Sequence, residues 1–207
     1  MIQTSSASAK ELEWAVANGE IPHGSVVIFF DSESAWLSWL IARIQKIALL
    51  DLGVSEDRAE RVKHATHVGV VGRGSWIVEH YRPHTRRRVF EECKGTRLVF
   101  LTYADASLES LELVARNAEN DVLNHARYDI GDLFSFYAYW RWKVFRKRKY
   151  HGLFNSRDRD VCSTRCVEWH NRAGVMEISP EAKWGWYPAR FLVEPTLFSI
   201  IRAVEVV

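Results

Sequence analysis

The sequence is poor in cysteine and has no excess of one charge. Only three of its 207 residues are cysteine, and so small and odd a number excludes a small secreted scaffold built on disulfides. The 28 basic residues are nearly balanced by 26 acidic ones, which leaves a formal net charge of +2. The overall charge therefore gives no reason to expect nucleic-acid binding, and any such function would depend on a local basic patch.

The chain also lacks a long hydrophobic run and a leader sequence. Its most apolar stretch, residues 35–53, is interrupted by Arg43, Gln45 and Lys46, which excludes a membrane span. The first 20 residues lack the basic and then apolar pattern of a signal peptide. We therefore expect a cytoplasmic location by default, with delivery to the cell envelope by another route left open.

No stretch rich in proline, glycine and serine divides the chain. We therefore predict a single domain over residues 1–207, with residues 1–20 as an N-terminal helical extension. Helical patterns, among them a capping box formed by Ser8 and Glu11, are interspersed with short β-rich runs. Two such runs flank the sequence "GRGS" at 72–75 and predict a hairpin. This mixture of helices and antiparallel strands predicts an α+β fold.

Two of the cysteines lie in the segment "DVCSTRCVEW", residues 160–169. Asp160 is a suitable cap for a helix that begins at the next residue, which places Cys162 in the first turn. There the helix dipole and the unpaired N–H groups favour the thiolate. Cys166 lies one turn further along and is expected to be a buried apolar residue. Cys162 is therefore the candidate nucleophile, and the alternative that both thiols are inert core residues stays open.

Metal and redox roles have weaker support. Cys162, Cys166 and His170 lie one turn apart on one helical face, but a zinc site normally closes with a fourth ligand from a second short pair, which the sequence does not offer. The spacing of the two cysteines is also not the Cys-x-x-Cys of redox motifs. We predict neither a metal nor an organic cofactor.

A thiolate nucleophile needs a histidine base, and the hairpin selects one. If the chain turns about Arg73, His67 lies directly across from Glu79, within reach of an imidazole–carboxylate hydrogen bond. Gly69, on the same face, is expected to leave open space above the sheet. For each residue alone, a satisfied histidine or an exposed glutamate is the simpler interpretation, and the pairing depends on the predicted register.

The segments "ATHVGVV", "WIVEHY" and "DVCSTRCVEW", taken in this order, resemble the circularly permuted papain-like amidases. These form the permuted branch of the NlpC-type cysteine peptidases and are related to lecithin:retinol acyltransferase. In that branch a strand histidine comes first, an orienting residue follows on the next strand, and the cysteine comes last at the start of a helix. The resemblance extends from about His23 onward and implies a papain-like fold, with an antiparallel sheet or partial barrel packed against helices.

The resemblance also implies the role of each residue. Cys162 would be the nucleophile, His67 the general base and acid, and Glu79 the residue that orients His67. The implied activity is that of a cysteine hydrolase, of amidase or endopeptidase type, acting on an amide or other acyl bond, with bacterial cell-wall peptide as the family's usual substrate. The chain departs from the family at Ser25, where an aspartate is common, and at Thr164–Arg165, where an acidic residue is common. These departures leave the substrate open.

Two further functions stay open beside hydrolysis. One is a lipid-directed acyltransferase or thioesterase, and the other is a non-catalytic module that binds lipid or a protein partner. Both would use the aromatic and basic segment 137–151 as a surface for anionic lipid. The segment is equally typical of a helix with a buried aromatic face and a solvated basic end, whereas nucleic-acid binding is disfavoured by the near-neutral charge. The sequence does not indicate an oligomeric state.

Overall fold

The computed structural model describes residues 3–30, 35–127, 161–179 and 186–207. The strands are β1 (Ser5–Ala7), β2 (Val26–Phe30), β3 (Ala65–Val71), β4 (Trp76–His80), β5 (Thr85–Val89), β6 (Arg97–Tyr103) and β7 (Phe198–Val206). The helices are α1 (Ala9–Ala17), α2 (Ala35–Asp51), α3 (Glu56–Val62), α4 (Leu108–Leu123), α5 (Cys162–Arg172) and α6 (Pro188–Phe191), with a 3-10 turn at Phe90–Cys93.

All seven strands belong to one sheet, in the order β1-β7-β6-β2-β3-β4-β5. Strands β2 to β7 pair antiparallel with their neighbours, and β1 pairs parallel with β7. The predicted α+β class is therefore confirmed. The sheet is mixed and open, so the expectation of an antiparallel sheet is corrected at β1, a three-residue strand that was not predicted and that pairs parallel with β7.

The sheet separates two hydrophobic clusters because its side chains alternate between the two faces. Val26 and Ile28 of β2 belong to one cluster, and Val27 and Phe29 belong to the other. The larger cluster includes residues of α2 to α6, and the smaller one includes residues of α1, the 3-10 turn and β7. Helices thus cover both faces, and the central strands β2 and β3 are buried along their whole length.

The predicted N-terminal helix is confirmed together with its cap. The Ser8 hydroxyl accepts a hydrogen bond from the Glu11 N–H at 3.3 Å, and the Glu11 carboxylate accepts one from the Ser8 N–H at 2.6 Å. This reciprocal pair satisfies two of the N–H groups that a helix start leaves without a partner. Leu12 and Ala15 are fully buried, so α1 packs against the sheet.

The hairpin between β3 and β4 has a different register from the predicted one. Val71 pairs with Ile77 and Gly69 pairs with Glu79, so the turn is centred on residue 74 rather than on residue 73. Ser75 has a φ of 58°, the left-handed conformation common at the end of a three-residue hairpin loop. The predicted opposition of His67 and Glu79 is therefore wrong by two residues, which keeps both side chains on one face because the side-chain period of a strand is two.

Within the described ranges, no helix is both long enough and apolar enough to cross a membrane. The aromatic and basic segment 137–151 lies outside the described residues, and so does Asp160.

Candidate active site

His67 of β3 and Glu79 of β4 form a buried ion pair. The His67 Nε2 atom lies 3.0 Å from the Glu79 Oε2 atom, and the side chains are only 3% and 0% exposed. A carboxylate removed from water in this way costs free energy unless it is paired. The pair predicted from the sequence is therefore present, although the two residues lie diagonally across the ladder and not directly opposite each other.

Gly69 explains why the diagonal pair can meet. Gly69 lies directly across from Glu79, and a Cβ atom added to it would lie 2.7 Å from the Val78 carbonyl oxygen and 3.4 Å from the Glu79 Cβ atom. The expectation of open space above Gly69 is therefore wrong, because atoms of strand β4 occupy that space. The close approach of the two backbones brings the Glu79 carboxylate within reach of the imidazole.

An irregularity in the sheet also lies beside His67. The pairing of β2 with β3 shifts between Phe29, which is opposite His67, and Phe30, which is opposite Ala65. Such a bulge sets two residues of β3 against one of β2 and locally increases the twist, and bulges often redirect a side chain next to an active site. The bulge therefore contributes to the direction in which the imidazole points.

Cys162 is the first residue of α5. Val161 is the N-cap, with extended backbone angles, so the helix begins one residue later than predicted. The Thr164 hydroxyl accepts a hydrogen bond from the Val161 N–H at 3.1 Å. The N–H of Cys162 has no acceptor within the helix, since the first four N–H groups of a helix never do. An N–H group in this position can donate to an oxygen outside the helix.

The imidazole of His67 interacts with both Cys162 and Glu79. Burial alone would lower the pKa of His67, but the charge of Cys162, a hydrogen bond to it, and the Glu79 carboxylate outweigh burial and raise the pKa to about 10. Burial likewise opposes the ionisation of Glu79, but His67, Arg86 and Arg88 lower the pKa of Glu79 to about 2. The arrangement favours the imidazolium form of His67 beside an ionised Glu79 carboxylate.

The other two cysteines are fully buried free thiols. Burial and the charge of Cys162 raise the pKa of Cys166 well above its ordinary value, and burial raises the pKa of Cys93 to about 11. Cys166 is therefore an apolar core residue, as predicted.

His170 is not arranged as a metal ligand together with Cys166. Its Nδ1 atom lies 2.8 Å from the Cys166 carbonyl oxygen, to which the N–H form donates, and 4.0 Å from the Cys166 sulfur. Burial lowers the pKa of His170 to about 4. In the described part of the chain, no group of three or more His, Cys, Asp or Glu side chains is placed to hold a metal ion.

Sequence reasoning missed the arginines of β5. Arg86 lies directly across from Glu79, and its Nε atom donates to Glu79 Oε1 at 2.7 Å. The Nη1 atom of Arg88 lies 3.7 Å from Glu79 Oε2. Taken alone, the run "TRRRV" is typical of a solvated basic segment, although Arg86 and Arg88 have the period of two that places side chains on one face of a strand. A carboxylate in the apolar strand β4 was the signal that a cation lay nearby.

Asp121 of α4 fixes the helix that carries Cys162. Its Oδ2 atom accepts a hydrogen bond from Trp169 Nε1 at 2.8 Å and lies 3.3 Å from Arg165 Nη1, and its Oδ1 atom lies 3.3 Å from Arg172 Nη1. All three partners belong to α5. One buried carboxylate therefore holds three successive turns of this helix, and sequence reasoning did not identify it.

Compared with family models, with curated proteins and with solved structures, the chain shows no match.

Proposed function

We propose that the chain is a cysteine hydrolase of amidase or endopeptidase type, in which Cys162, His67 and Glu79 form the catalytic triad. The observation that carries the proposal is a single buried imidazole that interacts with a helix-initiating cysteine and, 3.0 Å away, with a buried glutamate. Nucleophile, base and orienting residue in contact are the arrangement that acyl transfer by a thiol requires. The sequence resemblance to the permuted papain-like amidases supports the same roles.

In the proposed triad each nitrogen of His67 has one partner. Since Nε2 faces Glu79, Nδ1 is the nitrogen left for proton transfer at the cysteine. The Glu79 carboxylate stabilises the imidazolium and fixes the orientation of the ring. With Nε2 held by Glu79, Nδ1 can donate a proton in one step and accept one in the next, as general acid–base catalysis requires.

The proposed reaction proceeds in two steps. The Cys162 thiolate attacks the carbonyl carbon of an amide, and the Cys162 N–H at the helix start donates to the oxyanion. Such a donor is worth about 2.7–4 kcal/mol in other enzymes. The His67 imidazolium then protonates the leaving amine as the carbon–nitrogen bond breaks, which leaves a thioester. In the second step His67 accepts a proton from water, the water attacks the thioester, and the thiolate leaves.

The first test is the rate of alkylation of each cysteine by iodoacetamide between pH 5 and pH 9, followed by mass spectrometry. An ordinary thiol with a pKa of about 8.5 is only about 1% ionised at pH 6.5. We expect Cys162 to react faster at that pH than Cys93 and Cys166. We expect His67→Ala to slow its reaction at least about tenfold, because the imidazolium no longer stabilises the thiolate.

The controls distinguish activation of the Cys162 thiol by His67 from the greater solvent exposure of Cys162. Cys162 is 7% exposed while Cys93 and Cys166 are fully buried, so exposure alone would also rank it first. The proposal therefore requires that His67→Ala slows the alkylation of Cys162 at pH 6.5 but leaves its alkylation rate at pH 9 nearly unchanged. His23→Ala, which replaces a half-exposed histidine bonded to Glu112, should have no effect. Reaction of Cys162 that is independent of His67 would overturn the proposal.

The substrate class follows from a second measurement on the same proteins. Peptide anilides, peptides of the bacterial cell-wall type and acyl thioesters are offered to the wild type and to Cys162→Ser. Hydrolysis of the amides by the wild type alone supports the amidase assignment. Turnover of thioesters alone would replace it with a thioesterase or acyltransferase.

A further inference from the structure

The carboxylate of Glu79 divides its two oxygen atoms between different partners. Oε1 accepts a hydrogen bond from Arg86 Nε at 2.7 Å and lies 2.6 Å from Arg86 Nη2. Oε2 lies 3.0 Å from His67 Nε2 and 3.7 Å from Arg88 Nη1. A rotation of the carboxylate would break contacts at both oxygens at once, so the arginines determine which oxygen faces the imidazole.

Each arginine also covers an aromatic ring that packs against His67. The guanidinium carbon of Arg86 lies 4.3 Å from the centroid of the Tyr81 ring, which meets the imidazole edge-on at 5.5 Å and 90°. The guanidinium carbon of Arg88 lies 5.4 Å from the centroid of the Phe29 ring, which lies 5.2 Å from the imidazole. The contacts form two closed sets, each running from His67 through Glu79, an arginine and an aromatic ring back to His67.

We propose that Arg86 and Arg88 are positioning residues that hold His67 in its working orientation through these two closed sets. The proposal rests on the proposed function, in which His67 is the base. A guanidinium group suits the task because it donates in a fixed planar geometry and stacks on an aromatic ring at the same time. Arg86, with the shorter contacts to the carboxylate and to the ring, makes the larger contribution.

Strand β5 itself provides a matched control. Arg87 lies between the two arginines, and its Nε atom donates to Glu119 Oε2 at 2.7 Å while its guanidinium carbon lies 4.8 Å from the centroid of the Trp76 ring. The side chain of Arg87 is 44% exposed and that of Arg86 is 41% exposed. Arg87 thus has the same two kinds of partner on the opposite face of the sheet, where neither partner touches His67.

A positioning role and a purely electrostatic role of Arg86 predict opposite changes in the pKa of His67. Among the described residues, the titratable groups that face His67 are Glu79 from β4 and Cys162 from α5, and the groups that face Glu79 are His67 and the two arginines. If Arg86 acted only through its positive charge, its removal would raise the pKa of His67. If it holds the carboxylate against the imidazole, its removal lowers that pKa, because Glu79 stabilises the imidazolium less well.

The experiment is a titration of the imidazole ¹⁵N shifts of His67 between pH 5 and pH 11. It compares the wild type with Arg86→Met, Arg86→Lys and Arg87→Met. We expect Arg86→Met to lower the pKa of His67 by about 1, a tenfold change in the protonation equilibrium. Arg86→Lys, which keeps the charge but loses the planar fork, should lower it less, and Arg87→Met should leave it unchanged. A rise or no change in Arg86→Met, or an equal fall in Arg87→Met, overturns the proposal.

Iodoacetamide rates of Cys162 in the same variants separate this proposal from the proposed function. If Cys162 of the wild type reacts like an ordinary thiol while the pKa of His67 falls in Arg86→Met alone, the hydrolase assignment fails and the positioning role stands. If Cys162 reacts rapidly and depends on His67, but neither its rate nor the pKa of His67 responds to Arg86→Met, the hydrolase assignment stands and the positioning role fails.

Discussion

At the scale of single residues, Gly69 is the position where the smallest change should disturb the site. A Cβ atom there would lie 2.7 Å from the Val78 carbonyl oxygen, and a backbone atom of a central strand cannot move away without moving Glu79. We expect Gly69→Ala to destabilise the fold by about 1–3 kcal/mol, the usual cost of overpacking a core. We also expect it to slow the alkylation of Cys162 at pH 6.5. Urea unfolding and iodoacetamide labelling measure the two effects.

The control for Gly69→Ala is Val204→Ala. Val204 is fully buried in β7, which is separated from β3 by β6 and β2. Its truncation should destabilise the protein through a cavity without changing the labelling of Cys162. If both variants slowed labelling equally, the effect would be one of stability and not of the distance between β3 and β4.

The pairing of His67 with Glu79 could be predicted from the sequence because it depends on the parity of the register and not on its exact value. The turn that Ser75 makes with a positive φ moved the register by two residues, and the pair still meets on one face. A shift of one residue would have moved Glu79 to the opposite face. The contact of Cys162 with His67 could not be derived in this way, because it depends on how α5 packs against strands more than 80 residues earlier in the chain.

At the scale of elements, Asp121 should control the order of helix α5. Asp121→Asn keeps the shape of the side chain but removes the charge that faces Arg165 and Arg172. Losing one partner of a buried ion pair typically costs about 3–5 kcal/mol, and the upper part of that range needs full burial, so we expect about 3 kcal/mol here. Hydrogen exchange should show faster amide exchange in α5.

Glu119→Gln is the matched control for Asp121→Asn. Glu119 also belongs to α4 and is equally buried, but its partners are Arg87 and Trp76, at β5 and β4. We expect this variant to increase exchange in the hairpin strands while α5 stays protected. Increased exchange in α5 with both variants would mean that α4, and not the Asp121 contacts, determines the order of α5.

Some helices and strands could be predicted from the sequence and others could not. Helix α1 and strands β3 and β4 were predicted because capping residues and β-branched runs are local signals. Strand β5 was missed because its arginines look like a solvated basic run until Glu79 and Glu119 are known to lie beside them. Strand β1 was missed because three residues carry no periodicity, and its parallel partner β7 lies nearly 200 residues away in the sequence.

At the scale of the whole molecule, two buried histidines should give the stability a maximum near neutral pH. Burial lowers the pKa of His170 from 6.5 to about 4. Between these two pH values the unfolded chain binds a proton at this histidine and the folded state does not. Its contribution is complete above pH 6.5 and is lost as the pH falls towards 4. From 1.36 kcal/mol per pKa unit, the loss by pH 4.5 is about 2–3 kcal/mol. Urea unfolding from pH 4.5 to 6.5 measures this acid limb, and His170→Gln should flatten it.

The alkaline limb has the opposite sign and a different origin. The pKa of His67 is raised from 6.5 to about 10, so the folded state keeps a proton that the unfolded chain releases. This contribution is complete below pH 6.5 and is lost as the pH rises towards 10. His67→Gln should therefore flatten the alkaline limb of the urea curve and leave the acid limb in place, whereas His170→Gln should do the reverse. The buried thiols Cys93 and Cys166 also have raised pKa values and add an alkaline loss above about pH 8.5, so the comparison is made between pH 6.5 and 8.5. A loss of stability in that window that is as steep in His67→Gln as in the wild type would contradict the raised pKa of His67.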